Sequence, residues 1–188
     1  CLWAPEIFYN EDDDEYIIHF SATVKADGYQ KMAIYYTKTK DFENFTMPKL
    51  FFEKACGVFD SHLVKIGDTY HLFYKTSAEP LMNMHATSNS LFGKWQHDYD
   101  FQKYMQTLYR PGSHEAATTY ILPDGKWCLM LDFFGCEKEK MGYVPFISEK
   151  AGDAHFHQVN QLFSFPYGFK HGGVIEISDE EYERLLKI

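Results

Sequence analysis

The sequence predicts an all-β fold: a partial β-propeller of the five-bladed type, with about three full blades plus part of another, and a short C-terminal helix. Three observations predict it. A hairpin-like segment occurs three times, a second hairpin-like segment follows each copy, and the unit repeats at roughly 50 to 60 residues. Four strands per unit at such a period are typical of propeller blades. A β-sandwich with regular strand spacing is the rival fold, but it does not predict acidic residues at matched positions in each unit.

Composition favours a β-rich domain and argues against two classes of partner. The 188 residues include 17 Phe and 14 Tyr, and aromatic residues make up 18% of the chain. Strands favour aromatic side chains, and aromatic faces also stack on sugar rings, so we expect most of them in the core and a few at a ligand. The net charge is −9 without a basic run, which argues against nucleic acid and anionic membranes. No apolar run approaches the ~20 residues of a membrane span.

The first hairpin of each unit is predicted as strand, turn and strand. Its copies are residues 5–22, 61–77 and 116–134. The third is the clearest, because the PDG sequence at 123–125 has turn chemistry and an almost continuous apolar run follows it. One aromatic residue near the start of each second strand marks the period, with spacings of 54 and 57 residues: Tyr16, Tyr70 and Trp127.

A second hairpin pattern completes each unit. Its copies are residues 32–46, 82–96 and 141–156. Together the two patterns predict one domain over residues 1–188. Its predicted blades are residues 1–55, 56–110 and 111–165, and a closing strand and helix are predicted within 166–188.

The C-terminal part departs from the repeat. A Gly-rich bend is predicted to precede a strand at residues 173–177. Ser178, with Glu181 three residues later, has capping-box form and predicts the start of a short helix. Three blades and the start of a fourth do not close a ring. We therefore expect that a blade is missing or that another chain covers the open blade edges, with self-association as one such arrangement.

Three acidic residues are expected at one structural position, the entry to the innermost strand of each blade. Glu6 and Asp60 each stand ten residues before the aromatic marker of their unit, and Glu115 stands twelve before its own, across a longer turn. In a propeller such entries converge around the axis, with His171 as the fourth member. Carboxylates gathered in one pocket repel, which raises at least one pKa toward that of a general acid. The alternative is that acids at strand entries only cap turns.

Other polar residues receive smaller roles. His62 and His114 are expected to line the same pocket and to bind substrate, or else to be ordinary residues near it. The acidic run at 11–15 is expected to be a solvated turn. The four Cys residues, at 1, 56, 128 and 136, lack metal-cluster spacing, and their pairing stays open. No motif requires a cofactor.

Several segments match, in order, the motifs of one known family. They are CLWAPE at 1–6, the hairpin segments IYYT and DFENFT within 34–46, FDSHLVK at 59–65, KWCLMLD at 126–132, and KHGGVI at 170–175 before EEYERL. This set resembles glycoside hydrolase family 43, whose WAPE motif and I-D-x-x-I-I-K strand the first and third segments match. The resemblance covers essentially all 188 residues. It implies a five-bladed propeller acting on glycans that contain arabinose or xylose.

The resemblance also implies residue roles. Glu115 matches the general acid, and Asp60 matches the acid that tunes its pKa and orients it. Trp3 and Glu6 match pocket-wall residues, and His171 matches the central-channel His, sometimes near a bound calcium. The family usually has Gly-Pro after the general acid, where this chain has two Ala residues. The general base, an Asp, belongs to a first blade that precedes the WAPE motif and is absent from this sequence.

The leading hypothesis is therefore an inverting glycoside hydrolase for terminal arabinose or xylose units of plant polysaccharide. These 188 residues alone are expected to be inactive or nearly so, because the predicted general base is not among them. A non-catalytic carbohydrate-binding propeller derived from a hydrolase is the first alternative, and a protein-interaction propeller is the second. The expected partner is an oligo- or polysaccharide. The localisation stays open between bacterial secreted or periplasmic and cytoplasmic, with no signal recognised in this sequence.

Overall fold

Three four-stranded antiparallel sheets form the protein, and each sheet keeps its strands in chain order. The structure is a computed structural model that describes residues 1–77, 81–108, 113–135, 137, 141–163, 165 and 170–188. The first sheet contains β1 (Leu2–Asn10), β2 (Glu15–Ala22), β3 (Ala33–Thr39) and β4 (Lys49–Phe52). The second contains β5 (Val58–Ile66), β6 (Thr69–Thr76), β7 (Asn83–Ser88) and β8 (Gln96–His97). The third contains β9 (Ser113–Ile121), β10 (Trp127–Phe134), β11 (Gly142–Ser148) and β12 (His157–Gln158).

The predicted repeat corresponds to these sheets. Each first hairpin supplies strands one and two of a sheet, and the apolar run after the PDG turn forms β10, of which all but the last residue are buried. The fourth strands of the first and third sheets begin later in the chain than predicted, since β4 begins after residue 46 and β12 begins after residue 156. Before β4, the carboxylate of Asp41 accepts from the N–H groups of Glu43 and Asn44, and this turn lengthens the connection. The count of five blades stays a prediction.

Two apolar layers hold the sheets together. Between the first and second sheets lie Ile17, Ile34, Leu72 and Tyr74, all at most 1% exposed. Between the second and third sheets lies a layer that includes Phe73, Trp127, Leu129 and Phe146, which are fully buried. Burying a Leu, Ile or Phe side chain contributes about 1.5–3 kcal/mol each, so these layers fix how the inner strands face one another.

The outer face of the first sheet is partly uncovered. Side chains alternate along β1, so Phe8 packs toward the second sheet while Ile7 and Tyr9 point away from it and are 60% and 45% exposed. That a blade is missing next to this surface stays a prediction. Self-association through this surface also stays a prediction.

A helix that the sequence reading did not identify follows the second sheet. This helix, α1 (Tyr99–Thr107), begins at Asp98, whose carboxylate accepts from the N–H groups of Asp100 and Phe101. The same carboxylate contacts His85 Nδ1 at 2.8 Å. Phe101 and Met105 are buried in the layer between the second and third sheets. The helix is therefore an insertion that adds to the core.

The C-terminal segment confirms one prediction and corrects another. The helix α2 (Asp179–Leu185) has the predicted capping box, in which Ser178 and Glu181 satisfy each other's N–H groups. The prediction of a strand at residues 173–177 is wrong. These residues are exposed, and they do not join a strand ladder within the described part of the chain. An extended segment becomes a strand only when a neighbouring strand pairs its N–H and C=O groups.

Three cysteines are free thiols: Cys1, Cys56 and the buried Cys128. Cys136 lies outside the described residues. Among the residues that the structure describes, no helix is long and apolar enough to cross a membrane.

Candidate active site

The inner strands of the three sheets share one irregularity, and it positions the site. The ladders of β1, β5 and β9 each break at a β-bulge near the start of the strand. In each bulge one residue takes a left-handed conformation, with φ of 45° at Ala4, 49° at Asp60 and 51° at Ala116. Non-glycine residues adopt this conformation at a cost of about 1–2 kcal/mol each. Bulges of this kind redirect side chains and are frequent next to active sites.

The strand register corrects the prediction that three acids occupy one position. The residue before the bulge is Trp3 in β1, Phe59 in β5 and Glu115 in β9, because these three pair with equivalent residues of the second strands. Asp60 is thus equivalent to Ala4 and Ala116. Glu115 lies one position earlier, and Glu6 lies two positions later.

Turn length is the physical reason for this error. The residues that separate the paired ends of the strands are 11–14 in the first hairpin, 67–68 in the second and 122–126 in the third. Counting back from Tyr16, Tyr70 and Trp127 across turns of different length therefore gave a false register. The three markers themselves are equivalent, since each pairs with the residue six positions after the pre-bulge residue.

Despite the offset, Asp60 and Glu115 line the same cavity. Its volume is about 480 Å³, and its lining includes four residues predicted for the site: Trp3, Asp60, Glu115 and His171. The other lining residues are Ala4, Phe59, Lys75, Leu81 and Phe134. Aromatic side chains therefore surround a small set of charged groups, as in many ligand sites.

Asp60 lies in an environment that disfavours its charged form. It is 7% exposed, and its main-chain N–H donates to Ser21 Oγ at 3.0 Å. Burial raises the pKa of the Asp60 carboxyl to about 6, and the nearby Glu115 and Asp132 carboxylates act in the same direction against the charges of His171 and Lys75. A carboxyl with such a pKa holds its proton under mildly acidic conditions.

Glu115 lies in the opposite kind of environment. Its Oε2 atom is 3.1 Å from Nζ of Lys75, whose side chain is only 1% exposed. Its Oε1 atom is 4.0 Å from Nζ of Lys170, which is also 3.6 Å from the carboxylate of Asp132. Burial raises the pKa of Asp132, which pairs with Glu115 across the β9–β10 ladder. The cavity lining therefore contains two acids and one ammonium group, that of Lys75, while Lys170 and Asp132 lie next to it.

Sequence reasoning gave no site role to Lys75, Lys170 or Asp132. A signal was present for two of them, since Lys75 lies in a largely apolar strand and Asp132 in an otherwise apolar one. Charged side chains are almost never fully buried unless they are paired, so such positions merit attention in any sequence. Lys170 carries no comparable signal, because it lies in an exposed segment.

Glu6 and His62 are not in this cavity but in a neighbouring one of about 380 Å³. Both cavities include His171 in their lining. His62 Nε2 accepts from the Thr119 N–H at 3.1 Å, so Nδ1 carries the proton and donates to Glu6 at 2.8 Å. His62 thus joins β1, β5 and β9, and its hydrogen bonds are those of an inter-sheet link.

His114 lies outside both cavity linings. It is 6% exposed and packs against the rings of Phe133 and Phe146, at 4.8 and 5.9 Å between centroids. Calcium near His171 stays a prediction. A calcium ion needs six to eight oxygen ligands, and no cluster of three or more His, Cys, Asp or Glu side chains suited to a metal occurs among the described residues. The described residues do not by themselves supply enough oxygen ligands for a calcium ion, so no step below involves one.

Two carboxyl groups of unlike environment in one aromatic-walled cavity are the arrangement that glycosidases use for acid–base chemistry. A family model described as "Probable glycosyl hydrolase domain", for proteins related to glycoside hydrolase family 43, matches residues 1–183. The chain belongs to this family.

Relatives support the assignment at the level of the fold and part of the sequence. An alpha-L-arabinofuranosidase of Bifidobacterium longum is 31% identical over 86 residues, which cover 39% of this chain and 8% of that protein. A thermostable family-43 glycoside hydrolase has a TM-score of 0.61 at 15% identity, with 84% of this chain and 54% of that chain covered. An endo-1,4-beta-xylanase of Bacteroides thetaiotaomicron has a TM-score of 0.64 at 14% identity, with 92% of this chain and 60% of that chain covered. The chain thus spans about half the length of the structures that it matches.

Proposed function

We propose that the protein is a glycoside hydrolase that removes terminal arabinose or xylose units from plant polysaccharide by an inverting acid–base mechanism. One observation carries this proposal: Asp60 and Glu115 line one cavity of about 480 Å³ but have contrasting environments. Inverting glycosidases need one carboxylic acid to protonate the leaving oxygen and one carboxylate to activate water. The resemblance gives Glu115 the role of acid and Asp60 that of its tuner.

The cavity walls fit a sugar ring as well as the carboxyl groups do. Trp3, Phe59 and Phe134 present aromatic surface, and Trp3 is 56% exposed. Sugar rings have apolar faces that stack on aromatic rings, while their hydroxyls need polar partners. Asp60, Glu115 and His171 are the polar groups in reach of such a ring. Ala116 supports the site geometry, because its φ of 51° keeps the bulge that a glycine would adopt without strain.

The general base of an inverting reaction has no counterpart that we assign among the described residues. The family resemblance attributes it to an Asp outside this sequence. We therefore expect little turnover from these 188 residues alone, while sugar binding depends on residues that are present. Loss of one member of an acid–base pair commonly lowers rates about 10²–10⁴-fold.

The test combines binding with turnover. Arabino- and xylo-oligosaccharides are titrated against the protein by calorimetry and NMR, and hydrolysis is followed with nitrophenyl arabinoside and xyloside. We expect shifts confined to the cavity residues, and we expect Trp3→Ala to weaken binding at least fivefold. Any turnover that is detected should be abolished by Glu115→Gln and kept by the control Glu149→Gln, whose side chain is exposed. Binding of neither sugar class would contradict the proposal.

A non-catalytic carbohydrate-binding protein is the second candidate. The observation in its favour is the buried ion pair between Lys75 and Glu115, which stabilises the charged form of the residue expected to donate a proton. Binding of oligosaccharide without hydrolysis, in any longer form that has the Asp expected from the resemblance, would favour this candidate.

A further inference from the structure

A further cavity lies at the other end of the inner strands, between the first and second sheets. Its volume is about 450 Å³. Its lining comes from the β1–β2 turn, the β5–β6 turn and the segment after β7, and it includes Asn10, Asp13, Asp68, Asn89, Ser90 and Phe92. We call it the turn cavity. The strand from Trp3 to Asn10 spans roughly 20 Å, so the turn cavity is separate from the candidate active site.

Hydrogen bonds hold the β1–β2 turn in place, so this wall of the turn cavity is preformed. Asn10, which is only 4% exposed, donates from Nδ2 to the carboxylate of Asp13 at 2.9 Å. The carboxylate of Asp12 accepts from Nζ of Lys65 at 3.1 Å and from the hydroxyl of Tyr70 at 3.3 Å. These two bonds join the turn to the second sheet. A ligand that binds against fixed walls loses little free energy in ordering them.

Phe92 supplies aromatic surface to the turn cavity. Its ring centre lies 4.8 Å from that of Tyr36 and 6.1 Å from that of Phe51, yet the residue is 47% exposed. The contacts fix the ring, while a large part of its surface stays open to solvent. A fixed aromatic ring beside polar groups suits a ligand that has both an apolar face and hydroxyl groups.

The polar groups of the turn cavity favour a neutral, hydroxylated ligand. The carboxylates of Asp13 and Asp68 accept from hydroxyls, while the Asn89 amide and the Ser90 hydroxyl both donate and accept. The two carboxylates repel an anion. A metal ion is also disfavoured, because no cluster of three or more His, Cys, Asp or Glu side chains suited to a metal occurs in the part of the chain that the structure describes. A sugar unit combines hydroxyls with an apolar face and meets these requirements.

We propose that the turn cavity is a second carbohydrate-binding site, which holds one neutral sugar unit of a polysaccharide chain against Phe92. The inference goes beyond the proposed function, because it involves no reaction and no residue of the candidate active site. A polysaccharide bound at two places on one protein dissociates more slowly, since rebinding at either place is intramolecular. The turn cavity therefore increases the affinity for long chains more than the affinity for short sugars.

The test follows each cavity separately by NMR. The whole chain is labelled with ¹⁵N and titrated with disaccharides of arabinose and of xylose, which are too short to reach both cavities. We expect two groups of shifted signals, one from the candidate active site and one that includes the side-chain amides of Asn10 and Asn89. Wild-type protein without shifts at the turn cavity would overturn the proposal.

Variants assign the second group of signals to the turn cavity. Phe92→Ala is expected to weaken binding there roughly fivefold and to leave binding at the candidate active site unchanged. Asn89→Ala, at an exposed position, is expected to act in the same way if Phe92→Ala does not fold. Tyr182→Ala is the matched control, because Tyr182 is 53% exposed and lies outside this cavity lining. Wild-type affinity at the turn cavity in a folded Phe92→Ala or Asn89→Ala variant would contradict the proposal.

Other ligands and the polymer test the chemical class. Glycerol and calcium chloride are titrated at the concentrations used for the sugars, and we expect neither to reproduce the shifts at the turn cavity. Equal shifts with glycerol would indicate an adventitious additive only, and shifts with calcium alone would indicate a cation site; either result would overturn the proposal. In gels that contain arabinoxylan, the wild type should migrate more slowly than Phe92→Ala. Equal migration would contradict binding of the polysaccharide.

The outcomes also separate this inference from the proposed function. Shifts at the turn cavity alone contradict sugar binding at the candidate active site and support the second site. Shifts at the candidate active site alone contradict only the second site.

Discussion

The main-chain N–H of Asp60 donates to Oγ of Ser21 at 3.0 Å, and this bond joins the bulge of the second sheet to the second strand of the first. Next to it, Ser61 Oγ contacts Nδ1 of His19 at 2.8 Å, with both side chains buried. Two side chains of one sheet therefore hold two consecutive residues of another. The position of the Asp60 carboxyl depends on the first sheet as much as on its own strand.

Ser21→Ala is expected to destabilise the protein by about 1–3 kcal/mol, because it leaves the buried Asp60 N–H without its acceptor. Urea unfolding measures the free energy, and the exposed Ser90→Ala is the control. The Asp60 titration is expected to move in Ser21→Ala and not in Ser90→Ala. An unaffected free energy of unfolding would mean that the bulge is held by other contacts.

Asp60→Asn is expected to stabilise the protein at pH 7.5 and to have little effect at pH 4. The folded pKa of about 6 lies above the ordinary value of 3.8, so the folded state binds the proton more tightly. This stabilisation is fully present below pH 3.8 and is lost as the pH rises through 6. The difference corresponds to about 3 kcal/mol at most. Unfolding at both pH values measures it, with exposed Asp68→Asn as control; equal effects at the two pH values would refute the shift.

His19 is expected to have the opposite pH dependence. Burial lowers its pKa to about 4 from the ordinary 6.5, so the unfolded state takes up a proton first as the pH falls. Stability is therefore lost between pH 6.5 and 4, by up to about 3 kcal/mol from this residue. The His19→Asn variant should be less stable than the wild type at pH 7, but it should lose less stability than the wild type when the pH is lowered. The control variant His155→Asn, at an exposed position, should have the pH dependence of stability of the wild type. If His19→Asn also has that pH dependence, the lowered pKa of His19 is disproved.

His62→Ala is expected to cost about 2–3 kcal/mol, because the imidazole links three inner strands through Glu6 and Thr119. Glu6→Gln should cost less, since an amide oxygen can still accept from Nδ1. Thermal unfolding measures both, with His155→Ala as the control. If His62→Ala keeps full stability and weakens only sugar binding, the residue acts on the ligand as the sequence first suggested.

The repeat could be predicted because each hairpin combines a strong turn with aromatic strand residues, as in the unit built around Trp127. The short helix α2 could be predicted for a similar reason, since Ser178 and Glu181 satisfy a local rule. The failures have non-local causes. The segment at 173–177 has the composition of a strand, but pairing depends on a partner that local sequence does not reveal. The helix α1 was missed because its stability comes from burial of Phe101 and Met105 in a distant layer.

The sequence predicted which residues lie near one another better than it predicted their register; that they form a functional site stays a prediction. Trp3, Asp60, Glu115 and His171 do share a cavity. The register of the acids was wrong because it was counted across turns of unequal length. Lys75 was missed because its importance arises from a contact with Glu115 on another sheet, 40 residues away in the chain.

Three residues of the cavity lining with left-handed backbone have a consequence for how this scaffold can change over time. Ala4, Asp60 and His171 have φ between 45° and 49° and line the same cavity. Asp and His tolerate this conformation better than most residues do, so two of the three positions already hold side chains suited to it. Exchange of a single residue at such a position alters the chemistry of the cavity while the main chain keeps its course. New specificities can therefore arise here by point mutation, without insertions or a change of fold.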